Sequence, residues 1–185
     1  FANVYKNLNI PFKIAAQSND LKQATKIILP GVGAFDYAMQ LLQQSGMKEY
    51  LDELALKQKI PILGICIGMQ IMAYTSEEGN LIGLGWIDGA VKKLDTSKII
   101  YKPKLPHMGW NEVISTNDNK LFKNLDNRPR FYFLHSYCFK CHNNKNIIAT
   151  TDYGIRFVSA ISSNNFFAVQ FHPEKSHKNG IKLLK

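Results

Sequence analysis

The chain has 185 residues, a length that suits one domain with enough apolar content to bury a real core. Its formal net charge is +9, from 23 basic and 14 acidic residues, but the lysines are scattered rather than gathered into one stripe. That favours a solvated basic surface, or steering of an acidic partner or anionic substrate, over nucleic-acid binding. No run is long enough to cross a bilayer and no repeat or low-complexity tract occurs, so a soluble, membrane-free protein is expected; three cysteines, an odd number, argue for a reducing, cytoplasmic compartment.

In chain order, the apolar pattern predicts the end of a helix over Val4 to Leu8 and a short strand over Phe12 to Ala15. A buried strand, Lys26-Ile27-Ile28-Leu29, then ends in the loop Pro30-Gly31-Val32-Gly33. Helical spacing follows over Ala34 to Ser45 and Met47 to Lys59. Pro61-Ile62-Leu63 reads as a strand, and Met69 to Tyr74 as a helix. Such alternation points to α/β architecture with a parallel sheet covered on both faces. From Gly83 the character changes: turns at Gly83, Gly85, Gly89, Pro103, Pro106 and Gly109 separate short runs rich in Ile, Val, Phe and Tyr, predicting antiparallel strands or hairpins.

Between the Pro61 strand and the Met69 helix lies Gly64-Ile65-Cys66-Ile67-Gly68, which reads as a nucleophile elbow. A sharp strand-to-helix turn lifts one side chain above the sheet only if the residues two before and two after it are small. Here the lifted residue is Cys66, at a helix N-terminus whose free N–H groups favour a thiolate. Near the other end, Phe166-Phe167-Ala168-Val169-Gln170-Phe171-His172-Pro173-Glu174 delivers a histidine and, two residues on, a carboxylate. Residues two apart in an extended segment share a side, and Pro173 biases His172 toward that conformation, so Glu174 can orient His172. A cysteine nucleophile needs such a base, and the base needs such an orienting group.

Attack by a thiolate on an amide carbonyl creates an oxyanion that wants two N–H donors already in place. Ile67, next after the nucleophile, supplies one; Val32 or Gly33, in a glycine loop that also follows a strand, supplies the other. Sites in doubly wound sheets gather at such carboxyl ends. The segment Cys138-Phe139-Lys140-Cys141-His142 matches a c-type haem attachment pattern and invites a zinc reading with His135. A strand there sets residues three apart on opposite sides, and no second Cys/His pair completes a tetrahedral site, so ordinary strand cysteines and no metal are expected.

Gly64-Ile65-Cys66-Ile67-Gly68-Met69-Gln70 with Phe171-His172-Pro173-Glu174 resembles the class I (triad) glutamine amidotransferases. Within them, Pro30-Gly31-Val32-Gly33, Pro106-His107-Met108-Gly109-Trp110-Asn111, Phe133-Leu134-His135-Ser136-Tyr137 and His172-Pro173-Glu174-Lys175-Ser176 resemble the glutaminase subunits of imidazole glycerol phosphate synthases. The resemblance implies a three-layer α/β domain with a mostly parallel central sheet, which hydrolyses L-glutamine and passes ammonia to a synthase (cyclase) subunit in a heterodimer, with no metal or organic cofactor. Carried over by position, Cys66 is the nucleophile, His172 the general base and acid, and Glu174 the orienting carboxylate. Gly33, Gln70, Ser136 and Tyr137 match positions that hold glutamine. Met108, Trp110, Asn111, Tyr132 and Lys175 match positions near the synthase, and the turn at Asn3 matches another contact loop.

The chain departs from the family at its ends. The family opens with a strand and a Tyr-Gly-x-Gly-Asn turn, whereas Phe1-Ala2-Asn3 opens this sequence, with Ala2 where glycine is usual; the reading is a single domain over 1–185, truncated at both ends. Two other functions compete with ammonia supply to histidine biosynthesis: a paralogous glutaminase serving amidation of a surface sugar, and a non-catalytic interaction subunit. The complete set of Cys66, His172 and Glu174 argues against the latter.

Overall fold

A computed structural model gives the fold of residues 1–102, 104–116 and 119–185. Helix α1 (Ala2–Asn7) leads through an irregular segment to strand β1 (Ile27–Gly31). Helices α2 (Phe35–Gln44) and α3 (Lys48–Asp52), the latter prolonged by a π-turn over Glu53–Lys57, return the chain to β2 (Ile62–Cys66), parallel to β1. After α4 (Ile67–Gln70) come β3 (Thr75–Ser76), β4 (Gly89–Lys93), β5 (His107–Glu112), β6 (Ile114–Ser115), β7 (Arg130–His135), β8 (Tyr137–Cys141), β9 (Ile147–Asp152), β10 (Arg156–Ser163), β11 (Phe166–Val169) and helix α5 (His177–Leu184).

Among the described residues the largest sheet has the order β1-β2-β11-β10-β9-β6. Its β1, β2 and β11 run parallel, while β11, β10, β9 and β6 pair antiparallel. Smaller sheets form from β3, β4 and β8 and from the antiparallel pair β5-β7. Thus the expected parallel first half and antiparallel second half are both present, joined at β2-β11. Central β2 is apolar on both faces because both are covered. Ile62 packs with Phe35, Met39, Leu54 and Met72 beneath the helices, whereas Ile65 faces an aromatic cluster of Phe131, Phe133, Phe157 and Phe171. Each such fully buried side chain contributes roughly 1.5–3 kcal/mol.

Several local expectations are corrected. Phe12 to Ala15 forms no strand: Phe12 and Ile14 are exposed, and the Asp20 carboxylate accepts the Ala16 and Gln17 N–H groups, turning the chain into a 3-10 segment at Ser18–Leu21. The helix expected over Met69 to Tyr74 starts at Ile67 and stops at Gln70. The carbonyls of Ile71, Met72 and Ala73 accept the N–H groups of Leu84, Ile87 and Gly85 instead of continuing a helical ladder. Gly89 and Gly109 lie inside β4 and β5 rather than at turns, Gly109 with φ of 129°. The turn expected at Pro103 lies outside the described residues. Cys138 packs into the aromatic cluster and Cys141 against the helix-side cluster, so the two do face opposite sides.

The joint between β2 and α4 is set by backbone contact. A Cβ on Gly68 would overlap the Leu29 carbonyl, and one on Gly64 would sit 2.7 Å from the Gly68 carbonyl oxygen. Both glycines are therefore steric requirements of the strand-to-helix turn. Gly68→Ala is expected to cost about 3 kcal/mol, because the obstacle is backbone rather than a movable side chain. Urea denaturation checks this; a loss under about 0.5 kcal/mol would mean that the joint relaxes freely.

Candidate active site

The glycine joint drives Cys66 to φ 55° and ψ −111°, a left-handed conformation that a non-glycine residue holds only when its surroundings over-determine it. Its thiol is buried at the end of β2, and its Sγ lies 3.9 Å from the Leu134 carbonyl oxygen and 3.8 Å from Gln170 Nε2. His172 arrives from the neighbouring β11. Its backbone N–H donates to the Tyr132 carbonyl at 2.8 Å, and its carbonyl accepts the Ser176 hydroxyl at 2.6 Å, so the ring is held from two sides.

His172 Nδ1 donates to Glu174 Oε1 at 2.9 Å. That bond fixes the tautomer, leaving Nε2 with the lone pair when the ring is neutral. The geometry that brings the carboxylate differs from the extended segment expected. His172 is extended, but Pro173–Lys175 forms a 3-10 turn, which curls Glu174 back onto Nδ1. Nε2 is buried and makes no well-aligned hydrogen bond. Burial pushes the His172 pKa down, but the Cys66 sulfur and the Glu174 carboxylate together outweigh it and raise the value to about 9. A buried ring whose charged form is favoured beside a sulfur can hold the thiol's proton and return it to a leaving group.

A cleft of about 110 Å³ opens over this pair, lined by Val32, Gly33, Cys66, Ile67, Gln70, Glu78, Leu134, His135, Ser136, Tyr137 and His172. The presumed oxyanion donors and glutamine contacts of the sequence reading therefore all reach one cavity, with Glu174 behind His172. Val32 is largely exposed, and Gly33 has φ of 105°, open to few residues but glycine. Gln70 is committed inward: its Nε2 donates to the Tyr137 carbonyl at 3.1 Å and to Gln170 Oε1 at 3.0 Å, which leaves Oε1 for a ligand.

Sequence reasoning misses three participants. Glu78 brings a carboxylate to the cleft while its Oε2 accepts the Phe35 N–H at 2.8 Å at the start of α2. Nothing in the Ser76-Glu77-Glu78-Gly79 pattern separates it from a solvated charge. Leu134 acts through its backbone, which no side-chain motif reveals. Gln170 directly follows β11 on the way to His172, where its polar side chain carries no motif of its own.

The residues expected to meet a synthase divide. Met108 and Trp110 alternate outward on β5 opposite Leu134 and Tyr132 of β7, giving an exposed apolar face. Trp110 also stacks on His177 with centroids 5.2 Å apart, and Lys175 lies 5.7 Å from the Tyr132 ring centroid. Asn111 is not a free surface group: its Nδ2 contacts the Asp152 carbonyl oxygen at 2.7 Å and His107 Nε2 at 3.3 Å. Asn3 is exposed on α1, a helix anchored elsewhere, through the Tyr5 hydroxyl on the Leu184 carbonyl.

Beneath the cleft His107 Nδ1 and His135 Nε2 lie 3.0 Å apart, with His135 Nδ1 2.8 Å from the Tyr137 carbonyl oxygen. The carbonyl can only accept, so His135 donates from Nδ1 and His107 donates from its own Nδ1 to His135 Nε2. Burial drives the His107 pKa down to about 4. For His135 it does so to about 3, helped by repulsion from His107 and His172 and opposed by the Tyr137 bond. Among the described residues no helix is long and apolar enough to cross a membrane.

The sequence model of the glutamine amidotransferase class-I family matches residues 3–185. The chain belongs to the class I glutamine amidotransferases. It is 51% identical over 185 residues to "Imidazole glycerol phosphate synthase subunit HisH" of Leptospira interrogans, covering 100% of this chain and 91% of that protein. It is 50% identical, with the same coverage, to the protein of that name from Bdellovibrio bacteriovorus. A crystal structure of a glutamine amidotransferase superposes with a TM-score of 0.73 at 15% identity, over 97% of this chain and 86% of the other, a likeness of fold. As a member of this amidotransferase family the chain is an enzyme.

The depressed imidazoles have a thermodynamic sign. An unfolded ring takes up a proton near pH 6.5, whereas these folded rings resist until about 4 and about 3, so acidification through that window favours unfolding. In proton NMR titrations, neither ring is expected to titrate above about pH 5; a step near 6.5 in either would place a charged imidazole in the pair.

Proposed function

We propose that the protein is a glutaminase which hydrolyses glutamine through a thioester on Cys66 and delivers ammonia to a cyclase subunit for imidazole glycerol phosphate formation in histidine biosynthesis. The observation that carries this reading is the strained Cys66 beside a buried His172 whose Nδ1 is fixed by Glu174. The names of the relatives favour this acceptor over a surface sugar.

The thiol proton moves to His172 Nε2 as sulfur attacks the amide carbon. The resulting oxyanion is received by the Ile67 N–H and by the Val32–Gly33 segment. Collapse expels the amine, which takes the proton back from His172 and leaves as ammonia. Water then gives a proton to His172, attacks the thioester, and releases glutamate while sulfur regains its proton. In the cleft Glu78 complements the substrate's α-ammonium, Gln70 Oε1 accepts from it, and Ser136 and Tyr137 flank its carboxylate. Cys66→Ala and His172→Ala are expected to remove glutaminase activity almost entirely and Glu174→Ala to leave a larger residue, since the three act as a unit. Full ammonia release by Cys66→Ala would reject the mechanism.

The cyclase docks in a heterodimer on the apolar face of Met108, Trp110, Tyr132 and Leu134, with Lys175 at its border. Leu134 supports a partner-dependent rate: its side chain belongs to that face and its carbonyl, 3.9 Å from the Cys66 sulfur, accepts the thiol proton that His172 must take. Shifting β7 frees the sulfur for His172. A cyclase subunit with its acceptor substrate is expected to raise glutaminase turnover at least about tenfold, roughly 1.4 kcal/mol in the barrier. Trp110→Ala should weaken that stimulation while sparing alkylation of Cys66. A high basal rate that stays flat across a titration of the cyclase would reject the dependence and leave the triad standing.

A further inference from the structure

The Tyr137 carbonyl oxygen, at the first residue of β8, is met by Gln70 Nε2 at 3.1 Å and His135 Nδ1 at 2.8 Å. An oxygen that can only accept dictates the sense of both contacts. Gln70 must turn its amide nitrogen this way, and its second N–H then reaches Gln170 Oε1 at 3.0 Å. Gln170 has no choice left: with its oxygen taken, its Nε2 faces Cys66 Sγ at 3.8 Å. Flipping Gln170 would oppose two amide NH₂ groups and set an oxygen against the sulfur. Flipping Gln70 would oppose two oxygens at Tyr137. Gln170 is fully buried and Gln70 is 4% exposed, so water cannot rescue either flip.

We propose that Gln170 is a catalytic residue, a fixed N–H donor to the Cys66 sulfur, and that the Tyr137 carbonyl sets its direction through Gln70. This rests on the glutaminase reading for its role in turnover, but not for its effect on the sulfur. When the thiol proton passes to His172, sulfur keeps the electron pair and the Gln170 N–H stays on nitrogen. The contact then tightens from a weak N–H···S into a charge-assisted bond. Of the hydrogen bonds to this sulfur, the Leu134 carbonyl can only accept, so it loses its partner on ionisation while the Gln170 contact strengthens.

The test uses the full chain with the cyclase subunit. Gln170→Met removes the donor, and Gln170→Glu places a carboxylate oxygen there in the same shape. Both are expected to slow alkylation of Cys66 by iodoacetamide and to lower kcat at least about tenfold, with KM for glutamine within about twofold. Gln170→Glu should have the larger effect of the two, because its carboxylate repels the thiolate. A merely structural role would lower thermal stability without this split. Should both variants fail to fold, NMR of the wild-type chain decides: the Gln170 side-chain amide protons should move with ionisation of Cys66, a step absent in Cys66→Ser. Alkylation and kcat at wild-type levels, or amide protons blind to the sulfur, would overturn the proposal. Slowed alkylation in a chain that hydrolyses no glutamine would uphold the donor and reject the glutaminase reading.

Discussion

Everything at this site depends on how closely α4 packs on the backbone of β1. Gly68 fits only because it lacks a Cβ where the Leu29 carbonyl lies, and Gly64 fits only because it lacks one against Gly68. That approach bends the chain so sharply between β2 and α4 that Cys66 takes a positive φ, a conformation costing of order 1–3 kcal/mol by itself. The cost is met by the core on both sides of β2. Ile62 and Ile65 are each about 1% exposed, on opposite faces. Sulfur is thus placed by sheet packing, not by its own contacts, which at 3.8 and 3.9 Å are long.

The three histidines near the cleft show how environment divides one residue type between charged and neutral roles. His172 is paired with Glu174 and lies by Cys66, so its charged form is favoured despite burial. Among the described residues the hydrogen-bond partners of His135 and His107 are each other, a carbonyl and an amide, and burial keeps them neutral. The division is consistent, because a cation at His135 would repel a charged His172. A ring anchored on the Tyr137 carbonyl also holds the start of β8, where Ser136 and Tyr137 line the cleft.

The sequence was most legible where steric demand is local. Small residues flanking Cys66 and continuous apolar strands make the elbow and the sheet readable, whereas His172 and Glu174 meet through a 3-10 turn and not through the extended segment that the sequence suggests. It was least legible where distant segments decide. The helix after Cys66 stops at Gln70 because Leu84, Gly85 and Ile87 take its carbonyls, and Phe12 to Ala15 remains irregular because its apolar residues find no sheet face. Asn111 looked like a surface polar residue until β9 supplied the Asp152 carbonyl. Glu78 and Gln170 carry no periodic signal; their place is visible only once α2, β2 and β11 stand side by side.

Strand β7 joins these themes. Successive outward side chains, Tyr132 and Leu134, meet Trp110 and Met108 to form the apolar face, while the carbonyls of the same two residues turn inward, one to the His172 N–H and the other to the Cys66 thiol. A strand moves as a unit along its ladder, so pressure on that face cannot shift Leu134 without also straining the bond that seats His172. The Ser176 hydroxyl, which accepts the Tyr132 N–H at 3.0 Å and donates to the His172 carbonyl, resists such strain at the base while leaving the sulfur side free. The two halves of the proposed reactive pair are therefore coupled unequally to the same surface: His172 is clamped by hydrogen bonds through its backbone N–H, its carbonyl and Glu174, and Cys66 by long contacts that a small displacement can exchange.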